Sequence, residues 1–185
     1  METVTDQTKK TAARHAAILS AARWCFLNFG FAKTSLEDIA RRANISRTLL
    51  YRFFKGKEDI FKAVFVDWLV TRHPAARQAA AASGGRYGRL LAVCGAMVLE
   101  PWSDMVGTPM GSEFFAACGR VDPDIDGYHR NVARQCVAAI LGDEENAEVF
   151  ILALDGLLAD KPDVDTLKRR IQILAARFAM PSEAG

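Results

Sequence analysis

The sequence predicts an all-α chain, and three observations carry that prediction. Apolar residues recur at three- and four-residue intervals almost throughout, the period of a helix that buries one face. Val, Ile and Thr do not cluster in alternation over the length of a strand. Glycine, proline and capping residues fall where the periodic runs stop, as helix ends require. With 185 residues, half of them hydrophobic, the chain suits one compact unit or a small domain joined to a medium one, and it is long enough to bury a core.

The first helix is predicted from about Thr11 to Phe29, with Ile18, Ala22, Cys25 and Phe29 on one face and Gly30 ending it. "TSLED" follows, in which Thr34 and Glu37 have the spacing of a capping box for a second helix reaching about Arg42. Asn44 enters the left-handed region at low cost, so a sharp turn is predicted there, and Ser46 is placed to cap a third helix. Lys57 to Thr71 reads as a fourth, broken at His73-Pro74. "AAAASGG" is a weak helix running into a loop. Another helix is predicted from about Arg86 to Glu100, then a Gly- and Pro-punctuated stretch, a helix from near Asp124, one over Ala147 to Leu158, and a last one carrying Val164 to Phe178.

The second and third helices are spaced to pack as a helix-turn-helix. Ala40 is small where the axes approach, Ile39, Ala43, Leu50 and Phe53 point inward, and Ile45 plugs the turn. Arg47, Thr48, Leu49, Tyr51 and Arg52 then face outward, where a recognition helix carries base and phosphate contacts. An amphipathic core helix with a solvated charged face would show a similar pattern. Charge favours the first reading. Met1 to Lys62 holds twelve Lys and Arg against six Asp and Glu, a net of +6, and the remainder holds twelve against sixteen, a net of −4. A basic front third predicts a polyanionic partner for that part alone.

The segment Ile18 to Phe65, with "ILSAARWCFLNFGFAKTSLEDIARRANIS" followed by "LLYRFFKGKEDIF", resembles the tetracycline-repressor (TetR) family of bacterial transcription regulators. The resemblance implies a helix-turn-helix DNA-binding domain with an N-terminal arm over residues 1–55. It also implies a helical effector-binding and dimerisation domain over residues 56–185. By the same resemblance Thr34 and Tyr51 contact the DNA backbone, Lys57 meets a phosphate at the start of the fourth helix, and Arg47, Thr48 and Arg52 face bases or phosphates. Ser35, Ser46 and Leu49 complete the expected DNA-binding set. The sequence departs from the family pattern at Asn44, in place of the usual glycine, and at Leu49, Arg52 and Gly56. The expected partners are a palindromic double-stranded operator, a small-molecule effector and a second copy of the chain, with release by the effector making the regulator a repressor.

In the acidic remainder, Cys94, Met97, Trp102, Met105, Met110, Phe114 and Phe115 are the candidate effector-lining residues. Polarisable and aromatic side chains suit an adaptable apolar cavity and a largely apolar or aromatic ligand, and the same residues would serve equally as core. Val164, Leu167, Ile171, Leu174 and Phe178 repeat as an a/d seam. With Phe150, Leu154 and Leu157 from the preceding apolar helix, Leu167, Ile171, Leu174 and Phe178 are the candidate dimer interface, a four-helix contact between two copies.

Other classes find little support. The four cysteines, Cys25, Cys94, Cys118 and Cys136, form no CxxC pair and have no histidine at zinc-ligand spacing, so they read as reduced core thiols and no metal or cofactor is expected. "DPDIDG", Asp122 to Gly127, begins like a calcium loop but has Ala133 where the bidentate Glu is required. His73 and His129 are read as surface or capping residues. No stretch is apolar enough for a membrane span, the polar start lacks the core of a signal peptide, and a cytoplasmic location is expected. No nucleophile and base, metal set or nucleotide motif suggests an enzyme. The alternatives are a constitutive DNA-binding regulator without ligand and a small helical enzyme or carrier.

Overall fold

The computed structural model describes residues 3–121 and 123–180, and every described element is a helix. In order they are α1 (Thr3–Lys33), α2 (Leu36–Arg42), α3 (Arg47–Phe53), α4 (Lys57–Val70), α5 (His73–Ala81), α6 (Arg86–Cys94), a π-helical turn (Gly95–Leu99), α7 (Glu100–Met105), α8 (Gly111–Val121), α9 (Pro123–Leu141), α10 (Glu144–Gly156) and α11 (Val164–Ala179). Of the residues singled out in the sequence, Asp122 and the side chain of Cys118 lie outside what is described.

The chain forms two compact units, one of Met1–Asp67 with Gly107–Asp122 and one of Trp68–Val106 with Pro123–Gly185. In the first, α1 starts earlier than predicted, and Gly30 leaves helical geometry at φ 80° and ψ 163°. That glycine is required by its backbone: its φ is one that side-chain-bearing residues rarely adopt, while a Cβ there would lie 2.9 Å from Met110 Cε, the end of a flexible side chain that can move aside. Ile18, Ala22 and Cys25 are buried as predicted, but Phe29 is 44% exposed and Phe26 takes the core position. Phe29 turns edge-on to Trp24 instead. Phe26, Phe31, Phe61 and Phe114 form one aromatic cluster with centroids 5.0–5.8 Å apart, and Met110 N donates to Leu27 O at 2.9 Å, tying Gly107–Asp122 to α1.

In the second unit α5 packs on α6 and α9, α10 on α9, and α11 on α6 and α10. Its core includes Leu90, Val93, Cys94, Met97, Val137, Phe150, Ile151, Leu154, Leu167 and Ile171. Proline sets two joints. Pro74 occupies the first turn of α5, where its missing N–H costs nothing. Pro101 follows the π-helical turn, in which Glu100 N–H donates to Gly95 O, and it has no N–H to give the carbonyl four residues back, that of Met97. Asp143 and Asp163 cap α10 and α11 with their side chains, and those bonds hold both carboxyls below the usual range.

Candidate nucleic-acid interface

Two short helices and the turn between them position the candidate side chains. The capping box of α2 lies one residue later than predicted: Ser35 Oγ accepts from Asp38 N, and Asp38 Oδ2 accepts from Ser35 N, both at 3.1 Å. Thr34 is displaced from that role because it is buried, its hydroxyl donating to Gly30 O at 2.7 Å. Hydrogen bonds from Ser35 hold the Asp38 carboxyl below the usual range, with Arg41 assisting at 2.8 Å. Asn44 takes φ 54°, the predicted left-handed turn, and Ile45 N donates to Ala40 O at 3.0 Å to close it. Ser46 then caps α3 by accepting from Leu49 N.

Packing fixes which face of α3 is free. Ile39, Ala40 and Leu50 are buried, which turns Arg47, Thr48, Tyr51 and Arg52 to the exterior and leaves Leu49 half-buried. Arg47 Nη2 donates to the Tyr51 hydroxyl at 3.1 Å. Phe53 is half-buried, 6.2 Å from the His15 ring, and Phe54 stacks on the same ring at 5.2 Å. Ser35 and Ser46 are exposed but serve as caps. Lys57 directs Nζ to the carbonyls of Phe31 and Ala32 at 2.8 and 3.3 Å and lies over the Phe31 ring. Those carbonyls end α1, so the ammonium compensates the negative end of that helix, with one of its three donors to spare. Lys9 and Lys10 are exposed on α1.

The candidate effector residues do not behave as one group. In Trp68–Val106, Cys94, Met97, Trp102 and Met105 are buried. Trp102 Nε1 donates to Pro162 O at 2.9 Å, and burial pushes the Cys94 thiol up to about 12, so it stays protonated. In Gly107–Asp122, Phe114 is buried in the aromatic cluster, Met110 is half-buried and Phe115 is 47% exposed.

Of the candidate interface residues, Phe150, Leu154, Leu167 and Ile171 are buried within the single chain, while Leu157, Leu174 and Phe178 are half-buried. Phe150 and Phe178 meet edge to face at 5.2 Å. Leu167 and Ile171 of the seam thus pack within the chain, while Leu174 and Phe178 keep part of their surface exposed. Another apolar stripe is exposed: Val149, Leu152 and Gly156 on α10, and Ile173 and Ala176 on α11 with Met180 just after it.

Of two residues read as superficial from sequence, His73 is buried and His129 half-buried. His73 is 1% exposed, and its Nε2 lies 2.9 Å from His129 Nδ1. His129 Nε2 lies 3.1 Å from Met97 O, so His129 supplies the donor that Pro101 cannot. The signal was present in the sequence, since a proline late in a helical run implies a carbonyl in need of a partner four residues earlier. Among the described residues no group of three or more His, Cys, Asp or Glu is arranged to hold a metal ion, and no helix is long and apolar enough to cross a membrane.

Comparison with known proteins agrees with this geometry. Residues 18–64 match the family described as bacterial regulatory proteins, tetR family. The transcriptional regulator RutR of Escherichia coli K12 is 41% identical over 64 residues, covering 35% of this chain and 30% of RutR. The chain thus spans about 30% of the length of the curated relatives it matches. A TetR family transcription regulator from Marinobacter aquaeolei shares the fold at TM-score 0.67 and 17% identity, over 92% of this chain and 96% of that one. SmeT, the repressor of a Stenotrophomonas maltophilia multidrug efflux pump, does so at TM-score 0.62 and 17% identity, over 89% and 87%. The helix-turn-helix segment, residues 18–64, thus matches the tetR family of bacterial regulatory proteins, and the chain as a whole shares the fold of solved structures of that family.

Proposed function

We propose that the chain is a sequence-specific transcriptional regulator that binds a palindromic double-stranded DNA operator as a homodimer, represses from it, and is released by a small, largely apolar or aromatic effector. The observation that carries this reading is the free face of α3: Arg47, Thr48, Tyr51 and Arg52 point outward from a helix whose opposite side is locked to α2 by Leu50, Ile39 and Ala40. Arg47 and Arg52 offer bidentate contacts to guanine. Tyr51, Ser35, Ser46, Lys57 and the lysines of α1 offer backbone contacts that set register. Thr34, being buried, acts through the end of α1 by holding Gly30 O, and half-buried Leu49 offers its edge to a thymine methyl.

Dimerisation through the exposed stripes of α10 and α11 gives a two-fold regulator two copies of α3, which is the reason to expect a palindrome. Repression is proposed by analogy with SmeT, a repressor of the same fold, and effector release rests on the buried methionine and tryptophan set of Trp68–Val106. Selection of bound sequences from random duplex DNA tests the reading. A recovered palindrome, bound with a steep salt dependence, is the expected result. Folded protein that enriches no sequence would overturn it.

A further inference from the structure

The histidine pair has a polarity that can be assigned atom by atom. A carbonyl oxygen only accepts, so His129 Nε2, 3.1 Å from Met97 O, carries a proton. Burial pushes both rings below the usual histidine range, His73 to about 4, so both are neutral at neutral pH. Neutral His129 then has a bare Nδ1, and His73 Nε2, 2.9 Å away, must be the N–H that donates to it. Neutral His73 in turn has a bare Nδ1. That atom is buried and has no hydrogen-bond partner among the described residues. A buried acceptor left unsatisfied costs about 1–3 kcal/mol, and this one cannot turn to find a partner, because its ring is held through Nε2 and packs against Tyr128 at 5.3 Å.

The neighbouring residue contributes the complementary atom. Arg72 Nη2 donates to Asp104 Oδ2 at 2.5 Å and Nη1 to Trp68 O, yet its buried Nε–H also has no partner among the described residues. Consecutive residues at the start of α5 thus present one fixed acceptor and one fixed donor in the interior of the Trp68–Val106, Pro123–Gly185 unit.

We propose that His73 Nδ1 is a ligand-anchoring acceptor: it takes a hydrogen bond from the O–H or N–H of a neutral alcohol, phenol or amide, whose oxygen suits the Arg72 Nε–H. A carboxylate or phosphate ester dianion would set lone pair against lone pair. A pure hydrocarbon would leave both atoms unsatisfied. This deepens the effector reading above and rests on it for its regulatory meaning, since it adds a polar requirement to the largely apolar effector proposed there. The anchor also has a route outward: whatever fixes His73 fixes His129, and His129 holds the carbonyl of Met97 in the π-helical turn.

The test uses phenol as probe and anisole, of nearly the same shape but with no donor, as control. Imidazole nitrogens of the full ¹⁵N-labelled chain are followed at neutral pH during each titration. Phenol is expected to move His73 Nδ1 upfield in a saturable way and to bind about tenfold tighter than anisole; His73→Phe should bring the two probes within about twofold of each other. The proposal is overturned if Nδ1 stays put at phenol saturation, if anisole moves it equally, or if Nδ1 is already upfield without phenol and remains there, a resident water being its only partner. Should His73→Phe fail to fold, the wild-type Nδ1 resonance decides alone. Binding to the selected DNA is followed separately. A Nδ1 response with unchanged DNA affinity refutes effector release and leaves the anchor standing. DNA release by phenol and anisole alike, with Nδ1 silent, refutes the anchor and leaves effector release standing.

Discussion

Arg47 reaches across one turn of α3 to donate to the Tyr51 hydroxyl, 3.1 Å away, with its guanidinium 5.5 Å from the Tyr51 ring centroid. Two groups assigned to different DNA contacts are therefore one unit. Tyr51 pre-sets the direction of Arg47, and a phosphate that takes the phenol proton leaves the hydroxyl lone pair facing the arginine. Tyr51→Phe is expected to weaken operator binding about tenfold with little change in stability, because both side chains are exposed. Titration of the operator alongside thermal unfolding checks both halves.

Arg47→Ala is expected to lose discrimination at one base pair, about 1–3 kcal/mol, and to leave binding to random DNA nearly intact. Lys57→Met should instead lower affinity for all sequences alike and reduce the salt slope by about one. It should also cost stability, since Nζ caps the carbonyls at the end of α1. Equal losses on specific and random DNA for both variants would refute the division.

Gly30→Ala is expected to destabilise the Met1–Asp67, Gly107–Asp122 unit by about 1–3 kcal/mol. Its φ of 80° carries the cost, because Met110 Cε, 2.9 Å from the new Cβ, ends a flexible side chain that can move aside. Chemical denaturation measures the loss.

Ser35→Ala should cost about 1 kcal/mol by removing the cap of α2, whereas Glu37→Ala should cost little. The opposite ranking, read from denaturation midpoints, would restore the capping box to Thr34 and Glu37.

Stability should fall as pH drops from about 6.5 towards 4. The folded state keeps His73 unprotonated down to about 4, while the unfolded chain takes up the proton near its ordinary value of about 6.5. The unfolded state therefore binds more protons throughout that window, and stability rises with pH across it, by up to about 3 kcal/mol for His73. His129, also shifted down by burial, acts in the same direction. Urea midpoints between pH 7.5 and 4.5, compared with those of His73→Phe, isolate the effect.

Helix positions were legible from periodicity and punctuation: Asn44, Ser46, Pro74 and the a/d run of α11 stand in the structure as the sequence predicts. What sequence spacing left open was which of two adjacent candidates does a given job. Thr34 and Ser35 both satisfy the pattern of a cap, and the end of α1 decides between them by burying Thr34 against Gly30 O. Phe26 and Phe29 both fit a helical apolar face, and the Phe31, Phe61 and Phe114 rings select Phe26.

By itself, then, the sequence determined the helical class, the helix-turn-helix and the outward residues of α3, because those depend on contacts between residues a few positions apart. Only the tertiary structure decided that Leu167 and Ile171 of α11 are buried within their own chain, and that His73 and His129, 56 positions apart, share a hydrogen bond ending on the carbonyl that Pro101 leaves free. Such pairings are set by the packing of α5, α9 and the π-helical turn, and hydrophobic periodicity carries no information about which distant polar atoms that packing brings together.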